Sequence, residues 1–395
     1  GFGIFNEPHS GFIGLESLSG HHRVTSRRGS VPTAFDAIAA ASGFPRKVKR
    51  VDLAGAIRLP GDETMNPEGV SVFREGYQCP WLEAGVWAVE NGVPVVKRDD
   101  WFVRGNSGAA VRFGNDFLKP FSWRYAAALS KKHGHYLFFT EGVPFAERAS
   151  WTDADLEVSE GVRFSLVEAF HWYDGATLLF KKYRPWFTAD SETSAPVFGR
   201  RSVRRSIRNQ LARLASRPRS EGIPAFLGEF GVPFDLDRGK AYRSGGYAKQ
   251  EAALGAYYDA IDAELLSSTV WNYSASNTHE AGDGWNTEDL SIYSATTGEG
   301  RAVRGFSRPY AMAVAGVPLS MRFDRKKRVF SLEWDSAAGC TEIYVPDHWY
   351  PDGWRASFGD GSAVLEEKPD SQRLLVRTEG VSRVRVTVAP LGRKG

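Results

Sequence analysis

Only two cysteines occur in the 395 residues, Cys79 and Cys340. They lie far apart and form none of the paired spacings of a zinc site or redox motif, so both read as free core thiols. No apolar run approaches the roughly 18 residues that a membrane-spanning helix needs. A charge excess is missing too, because 50 Lys and Arg against 47 Asp and Glu leave a net +3. That balance selects no polyanion, and nucleic acid is not an expected partner. The patterns G-x-S-x-G, H-E-x-x-H and G-x-x-x-x-G-K-[ST] are absent, so serine-elbow, zinc-protease and phosphate-loop chemistry have no support. No cofactor and no metal are expected. The opening GFGIFNEPHSG has neither an initiating Met nor a basic leader. The true amino terminus is therefore expected to lie upstream, which leaves cytoplasmic and secreted locations both open.

What is present is an ordinary globular composition, 42% hydrophobic and 25% charged, at a length where one core stops growing and a second domain is expected. GFGIFN reads as the end of a buried strand that runs into the turn Glu7-Pro8-His9. From about 20 to 115 the periodicity is weak, with exposed-looking aromatics at Trp81, Trp87 and Trp101. A long, loop-rich insertion is the expectation there. Residues 117 to 132 look helical and lead to an apolar strand at 136–139 that ends on Thr140-Glu141. Downstream the same grammar repeats: strand 165–170 closes on His171-Trp172-Tyr173-Asp174. Val203, Ile207, Leu211 and Leu214 mark one face of a helix before strand 224–227 and Gly228-Glu229-Phe230-Gly231. A helix at about 246–266 precedes Val270-Trp271-Asn272. Strands alternating with helices, each strand ending in polar residues, predict a parallel α/β sheet of the (β/α)8 TIM-barrel type with its site at that face. The Arg-rich stretch Arg200 to Arg208 reads as the solvated face of an outer helix. After about 312 short alternating segments without helices predict an antiparallel β-sandwich over 313–395.

Two carboxyl groups stand out. Hydrolysing a glycoside with retention takes one acid to protonate the leaving oxygen and a second to attack the anomeric carbon and hold the sugar. Glu7 in Asn6-Glu7-Pro8 and Glu229 in Gly228-Glu229-Phe230-Gly231 each follow an apolar strand, the placement a barrel site needs. Taken singly, each reads more readily as a strand-end Glu in a surface turn. Asn6-Glu7-Pro8 resembles the fourth-strand motif of glycoside hydrolase family 5, His171-Trp172-Tyr173 its sixth, Gly228-Glu229-Phe230-Gly231 its seventh, and Trp271 its eighth-strand platform. The segments Asn66-Pro67-Glu68-Gly69-Val70-Ser71, Arg308-Pro309-Tyr310 and Thr341 to Pro346 are similar to the endoglycoceramidase-like branch, in particular to its fungal glucosylceramide and steryl β-glucosidases.

That resemblance implies a retaining β-glycosidase acting by double displacement, with Glu7 as acid/base and Glu229 as nucleophile. Asn6 would meet the sugar 2-hydroxyl, His171 and Tyr173 would flank Glu229 with the tyrosine donating to it, and Trp271 would stack on the pyranose. The Glu7 carboxyl would hold its proton near neutrality beside an ionised Glu229. Glu141 is a subsite candidate and Glu168 a structural one. Glu280, Asp283, Trp285 and Asn286 follow Trp271 and are candidates for sugar or aglycone contact. The substrate implied is a β-glucoside with a lipid-like aglycone, ceramide or sterol, and with it transient contact with a membrane surface. Trp349, Tyr350 and Trp354 are candidates for that contact or for a domain interface. Counted by its motifs, the catalytic region over residues 1–312 supplies strands four to eight. The first three are expected to be missing, and the chain alone to be inactive without them. Two other readings stay open: a hydrolase for other glycosides, of β-glucosidase or endoglucanase type, and an inactive carbohydrate- or membrane-binding fragment.

Overall fold

The computed structural model describes residues 1–20, 28–52, 57–106, 108–144, 146–359, 364–368 and 371–391. They divide into two compact units, one from residues 1–5, 129–145 and 151–395, the other from 6–128 and 146–150.

The first unit is built on a five-stranded sheet of β1 (Phe2–Gly3), β2 (Leu137–Thr140), β3 (Ser165–His171), β4 (Ala225–Phe230) and β5 (Ser267–Val270). The spatial order is the chain order, and every neighbouring pair is parallel. Sequential parallel strands with helical crossovers are the progression of a (β/α) barrel, whereas a doubly wound sheet reverses its order partway. Helix α1 (Arg200–Ser220) joins β3 to β4, and helix α2 (Ala248–Ala263) lies between β4 and β5. On α1, Val203, Ile207, Leu211 and Ala215 recur every fourth residue and are at most 2% exposed. They pack with Leu227 and Phe230 of β4 and with Leu254, Tyr257 and Ile261 of α2. Burying each Ile or Leu there contributes about 2 kcal/mol. This stripe is why α1 docks on one face and leaves its arginines in water.

The sandwich consists of two four-stranded antiparallel sheets. Its strands are β6 (Tyr310–Ala313), β7 (Gly316–Asp324), β8 (Val329–Ser336), β9 (Gly339–Tyr344), β10 (Trp354–Phe358), β11 (Val364–Lys368), β12 (Arg373–Thr378) and β13 (Arg383–Pro390). One sheet runs β6-β9-β12-β11 and the other β7-β8-β13-β10. Alternation builds the core: Phe330, Leu332 and Trp334 of β8 and Val384, Val386 and Val388 of β13 face Ile343, Leu374 and Val376 of the opposite sheet. Trp349 and Tyr350 belong to this core, 8% and 3% exposed. The Trp349 indole donates to the Ser307 carbonyl at 2.8 Å, so the lipid-contact expectation for these two residues gives way to domain packing. Arg308, 2% exposed, locks the sandwich to α2 through Asp262 at 2.5 Å and Asp259 at 3.3 Å. Arg325 donates to the Glu251 carbonyl at 2.9 Å. Any β-carbon at Gly255 would lie 1.8 Å from Arg325 Nη1, so a residue without a side chain sits in the middle of α2.

The second unit corrects the expectation for residues 20–115. It holds a three-stranded antiparallel sheet (Arg28–Val31, Arg46–Asp52, Ile57–Met65) and a helix Ala34–Ala41 with a Thr33–Asp36 capping box. Its own core gathers Leu18, Phe35, Ile38, Val86, Trp87 and Phe102, with Trp81 and Trp101 packed against it. Trp87 is 1% exposed. Cys79 is buried there, and neither cysteine forms a disulfide.

Candidate active site

The carboxyl ends of β2, β3 and β4 meet around one carboxylate. Glu229 is the fifth residue of β4, at a break in the strand ladder: Phe170 pairs with Leu227, but His171 pairs with Glu229, and Gly228 is skipped. The pairing of β4 with β5 slips over the same residues. Such a bulge re-aims a side chain that regular alternation would point elsewhere. The glycines on either side make it possible. A β-carbon at Gly228 would sit 3.1 Å from Ala169 Cβ and 3.4 Å from the His171 ring, and one at Gly231 would sit 2.3 Å from the Trp271 carbonyl oxygen.

Three side chains surround the carboxylate. Tyr173 Oη donates to Glu229 Oε1 at 2.5 Å, the length of a charge-assisted bond. His171 Nδ1 lies 3.6 Å from Glu229 Oε2, and its Nε2 lies 3.3 Å from Glu141 Oε2. The imidazole side chain is 7% exposed and the two carboxylates 13% and 14%, so their fields are poorly screened. An imidazolium has a donor for each carboxylate, while a neutral ring has one. The backbone N–H of Trp172 donates to the Glu229 carbonyl at 2.9 Å.

A supporting layer holds the tyrosine. The Trp172 indole, fully buried, donates to Gln210 Oε1 at 3.0 Å; the Ser191 N–H donates to the same oxygen at 3.0 Å; and Ser191 Oγ donates to the Tyr173 carbonyl at 2.8 Å. Asp174 then caps the short helix Gly175–Phe180 and accepts from Thr177, Thr188 and Tyr257.

Trp271 follows β5, half-buried, with its N–H on the Phe230 carbonyl and its ring edge-to-face with Trp285 at 6.1 Å. Of the loop candidates, Trp285 is 54% exposed, and Glu280 and Asn286 are exposed. Asp283 is occupied by the loop itself: it accepts from Asn272, Asn277 and the Leu290 N–H. Beneath lies a pair that sequence reading missed, Arg301 on Asp289 at 2.6 and 3.1 Å, both buried. Tyr242 also donates to Asp289, and burial together with this bond pushes its phenol far up. His279 stacks on Tyr242 at 4.1 Å; burial and, next, Arg301 hold its imidazole below the usual range. These residues span 60 positions without a motif, and nothing in the local sequence marks them as partners. Glu168 is buried within β3, as its structural reading has it.

Asn6 and Glu7 belong to the second unit, both exposed, with Glu7 at a left-handed φ of 43°. They begin two residues after Ile4, whose N–H donates to the Phe139 carbonyl at the end of β1.

Residues 308–388 match the glycoside hydrolase family 5 C-terminal domain. A glucosylceramidase of Rhizopus delemar is 30% identical over 392 residues, covering 88% of this chain and 56% of that protein. An ergosteryl-β-glucosidase of Saccharomyces cerevisiae is 28% identical over 332 residues, 74% of this chain and 42% of that one. The chain thus spans about half the length of the curated relatives it matches. The crystal structure of Cryptococcus neoformans sterylglucosidase 1 superposes with a TM-score of 0.83 at 24% identity, covering all of this chain and 64% of that one, a likeness of fold. Among the described residues no helix is long and apolar enough to cross a membrane. With its parallel sheet in barrel order, the chain carries the C-terminal domain of glycoside hydrolase family 5 over residues 308–388 and is similar over most of its length to fungal glucosylceramidases.

Proposed function

We propose that this chain carries the catalytic carboxylates of a retaining β-glucosidase whose substrates have a lipid-like aglycone. Glu229 attacks the anomeric carbon as the aglycone oxygen departs with a proton from Glu7. Glu7 then takes a proton from water, which displaces Glu229 and releases the sugar with its configuration retained. The observation that carries the reading is the held state of Glu229, whose Oε1 Tyr173 fixes by a 2.5 Å bond. For Glu7 the support is its motif and its tether, because four residues of chain reach at most about 14 Å from the end of β1. Asn6 beside it offers an amide to the 2-hydroxyl, and half-buried Trp271 offers a face for the pyranose. A lipid aglycone is supported by the relatives' names, glucosylceramidase and ergosteryl-β-glucosidase.

The test is covalent trapping in the full-length gene product. A 2-deoxy-2-fluoro-β-glucosyl donor with a good leaving group should add one fluoroglucosyl group to the peptide containing Glu229, and Glu229→Gln should abolish it. Glu7→Ala should still be labelled, should lose turnover most on poor leaving groups, and should yield β-glucosyl azide when azide is supplied. Labelling of a different carboxylate, or glucoside binding with no label at all, refutes the assignment; the second result would mark a carbohydrate-binding protein. Comparing glucosylceramide, steryl glucoside and cellobiose as substrates then tests the aglycone.

A further inference from the structure

The segment between β3 and α1 does more than carry Tyr173. Four of its large apolar side chains face solvent: Leu179 at 78%, Phe180 at 65%, Trp186 at 47% and Phe198 at 63% exposure. They form a group. Ring contacts run from Trp186 to Phe187 at 6.3 Å and on to Phe198 at 5.2 Å, across the hairpin Phe187–Ala189/Pro196–Phe198. Leu179 and Phe180 end the short helix that packs on that hairpin. Their apolar area is on the order of several hundred Å², the range that marks an interaction surface.

The surroundings of the group say what covers it. Lys182, Arg184, Arg200 and Arg201 are exposed, and none of them has a carboxylate partner among the described residues. Arg184 lies 5.7 Å over the Trp186 ring. Arg200 and Arg201 open α1 directly after Phe198-Gly199, at the helix end where the dipole is already positive and an acid would stabilise. The acids of the same segment, Asp190 and Glu192, are taken up by Arg213 and Arg217. Aromatic tips ringed by unpaired cations complement a bilayer carrying anionic headgroups: rings settle at headgroup level and cations against phosphates. We propose that residues 179–198 are a docking surface for an anionic phospholipid bilayer.

The base of the surface is fixed. Thr188 Oγ1 donates to Asp174 at 2.6 Å and Ser191 Oγ to the Tyr173 carbonyl at 2.8 Å, so the tips are presented without first being ordered. Those bonds also join the surface to the residue that touches Glu229. A docked chain would hold that carboxylate within one loop of the lipid that supplies its substrate; this consequence rests on the function proposed above, while docking itself does not.

Co-sedimentation tests it. The chain should pellet with vesicles of phosphatidylcholine containing about a third phosphatidylserine, much less with phosphatidylcholine alone, and less as salt rises. Replacing Leu179, Phe180, Trp186 and Phe198 together by Ser should lower the partition coefficient by about tenfold or more. Lys182→Glu with Arg184→Glu should remove the preference for anionic vesicles. All six positions are exposed, and unchanged circular dichroism and melting temperature check the fold. Wild-type protein left in the supernatant with both vesicle types, or a serine variant that pellets like wild type, overturns the proposal. So does a wild-type dimer that the serine variant dissolves, since the surface would then be covered by a second copy. Docking by this chain, with a full-length gene product that turns over no glucoside, would refute the glucosidase reading and uphold this one.

Discussion

Removing the Tyr173 hydroxyl is the sharpest perturbation of the proposed nucleophile. In Tyr173→Phe the ring still packs and the backbone keeps its bond from Ser191, so the change is confined to one donor at 2.5 Å from Glu229 Oε1. A hydrogen bond to a charged group contributes about 1.5–3 kcal/mol, and the low exposure of Glu229 means water does not replace it fully. The bond matters to rate because it holds the carboxylate ionised and in one orientation, which is the geometry of attack. At 1.36 kcal/mol per decade, kcat/KM for an aryl β-glucoside should fall by roughly 10- to 150-fold. On the proposed mechanism Glu229 attacks every glucoside in the glycosylation step that kcat/KM reports. The loss should therefore be similar for good and poor leaving groups, in contrast to Glu7→Ala. Melting temperature should stay within a degree or two. A variant within twofold of wild type, or a loss that grows with leaving-group basicity, would refute the role given to this bond.

Gly231→Ala places a methyl 2.3 Å from the Trp271 carbonyl oxygen and should cost about 1–3 kcal/mol of stability by overpacking, read by denaturant titration. Gly3→Ala, with nothing within 4 Å, is the neutral control. Gln210→Ala leaves the buried Trp172 indole N–H without its acceptor and should cost about 1–3 kcal/mol, with a fall in kcat because the Ser191–Tyr173 link loosens. Arg308→Met strips the cation from buried Asp262 and should cost about 3–5 kcal/mol, measured as a lowered urea midpoint. Burial already pushes the Asp262 carboxyl up to about 7 from 3.8, with Arg308 pulling it down and Asp259 adding to the rise. In the variant the folded state keeps a proton that the unfolded state has lost, so stability should fall as pH rises from about 4 towards 7 and above. Up to about 7 the folded carboxyl is protonated in wild type and variant alike, so the deficit should be smallest there and grow as pH rises above about 7; a pH-independent deficit would exclude this cause.

The strand-and-helix grammar was legible because each element announces itself locally. Val203, Ile207 and Leu211 sit at the spacing of one helical face, and the runs ending at Thr140, His171 and Phe230 are too short for helices and too apolar for loops. The motif residues His171, Tyr173 and Glu229 were legible for the same reason: each stands within three residues of a strand end, and parallel strands in chain order gather their ends. Residues 20–115 were opaque because their core is assembled from Leu18, Trp87 and Phe102, positions without a common period. Glu141 was visible as a strand-end acid, but its contact with His171 depends on a lateral register that no single segment encodes. The Asp289–Arg301 pair and its tyrosine and asparagine partners were invisible for a related reason, since a buried ion pair is written in two distant residues that look solvated one at a time.

The motif around Glu229 is as much backbone as chemistry. Without Gly228 the bulge would drive a side chain into Ala169 and the His171 ring; without Gly231 the chain could not pass the Trp271 carbonyl. The carboxylate stands between two glycines that its neighbours crowd, tightly at Gly228 and closer than any β-carbon allows at Gly231. A glutamate moved to another strand end of this sheet would keep its charge and lose its aim. Glycine substitutions beside Glu229 should therefore lower activity through geometry and stability together, whereas Glu229→Gln should remove activity and leave the fold intact. The two classes separate in one experiment that measures melting temperature and trapping on the same set of variants.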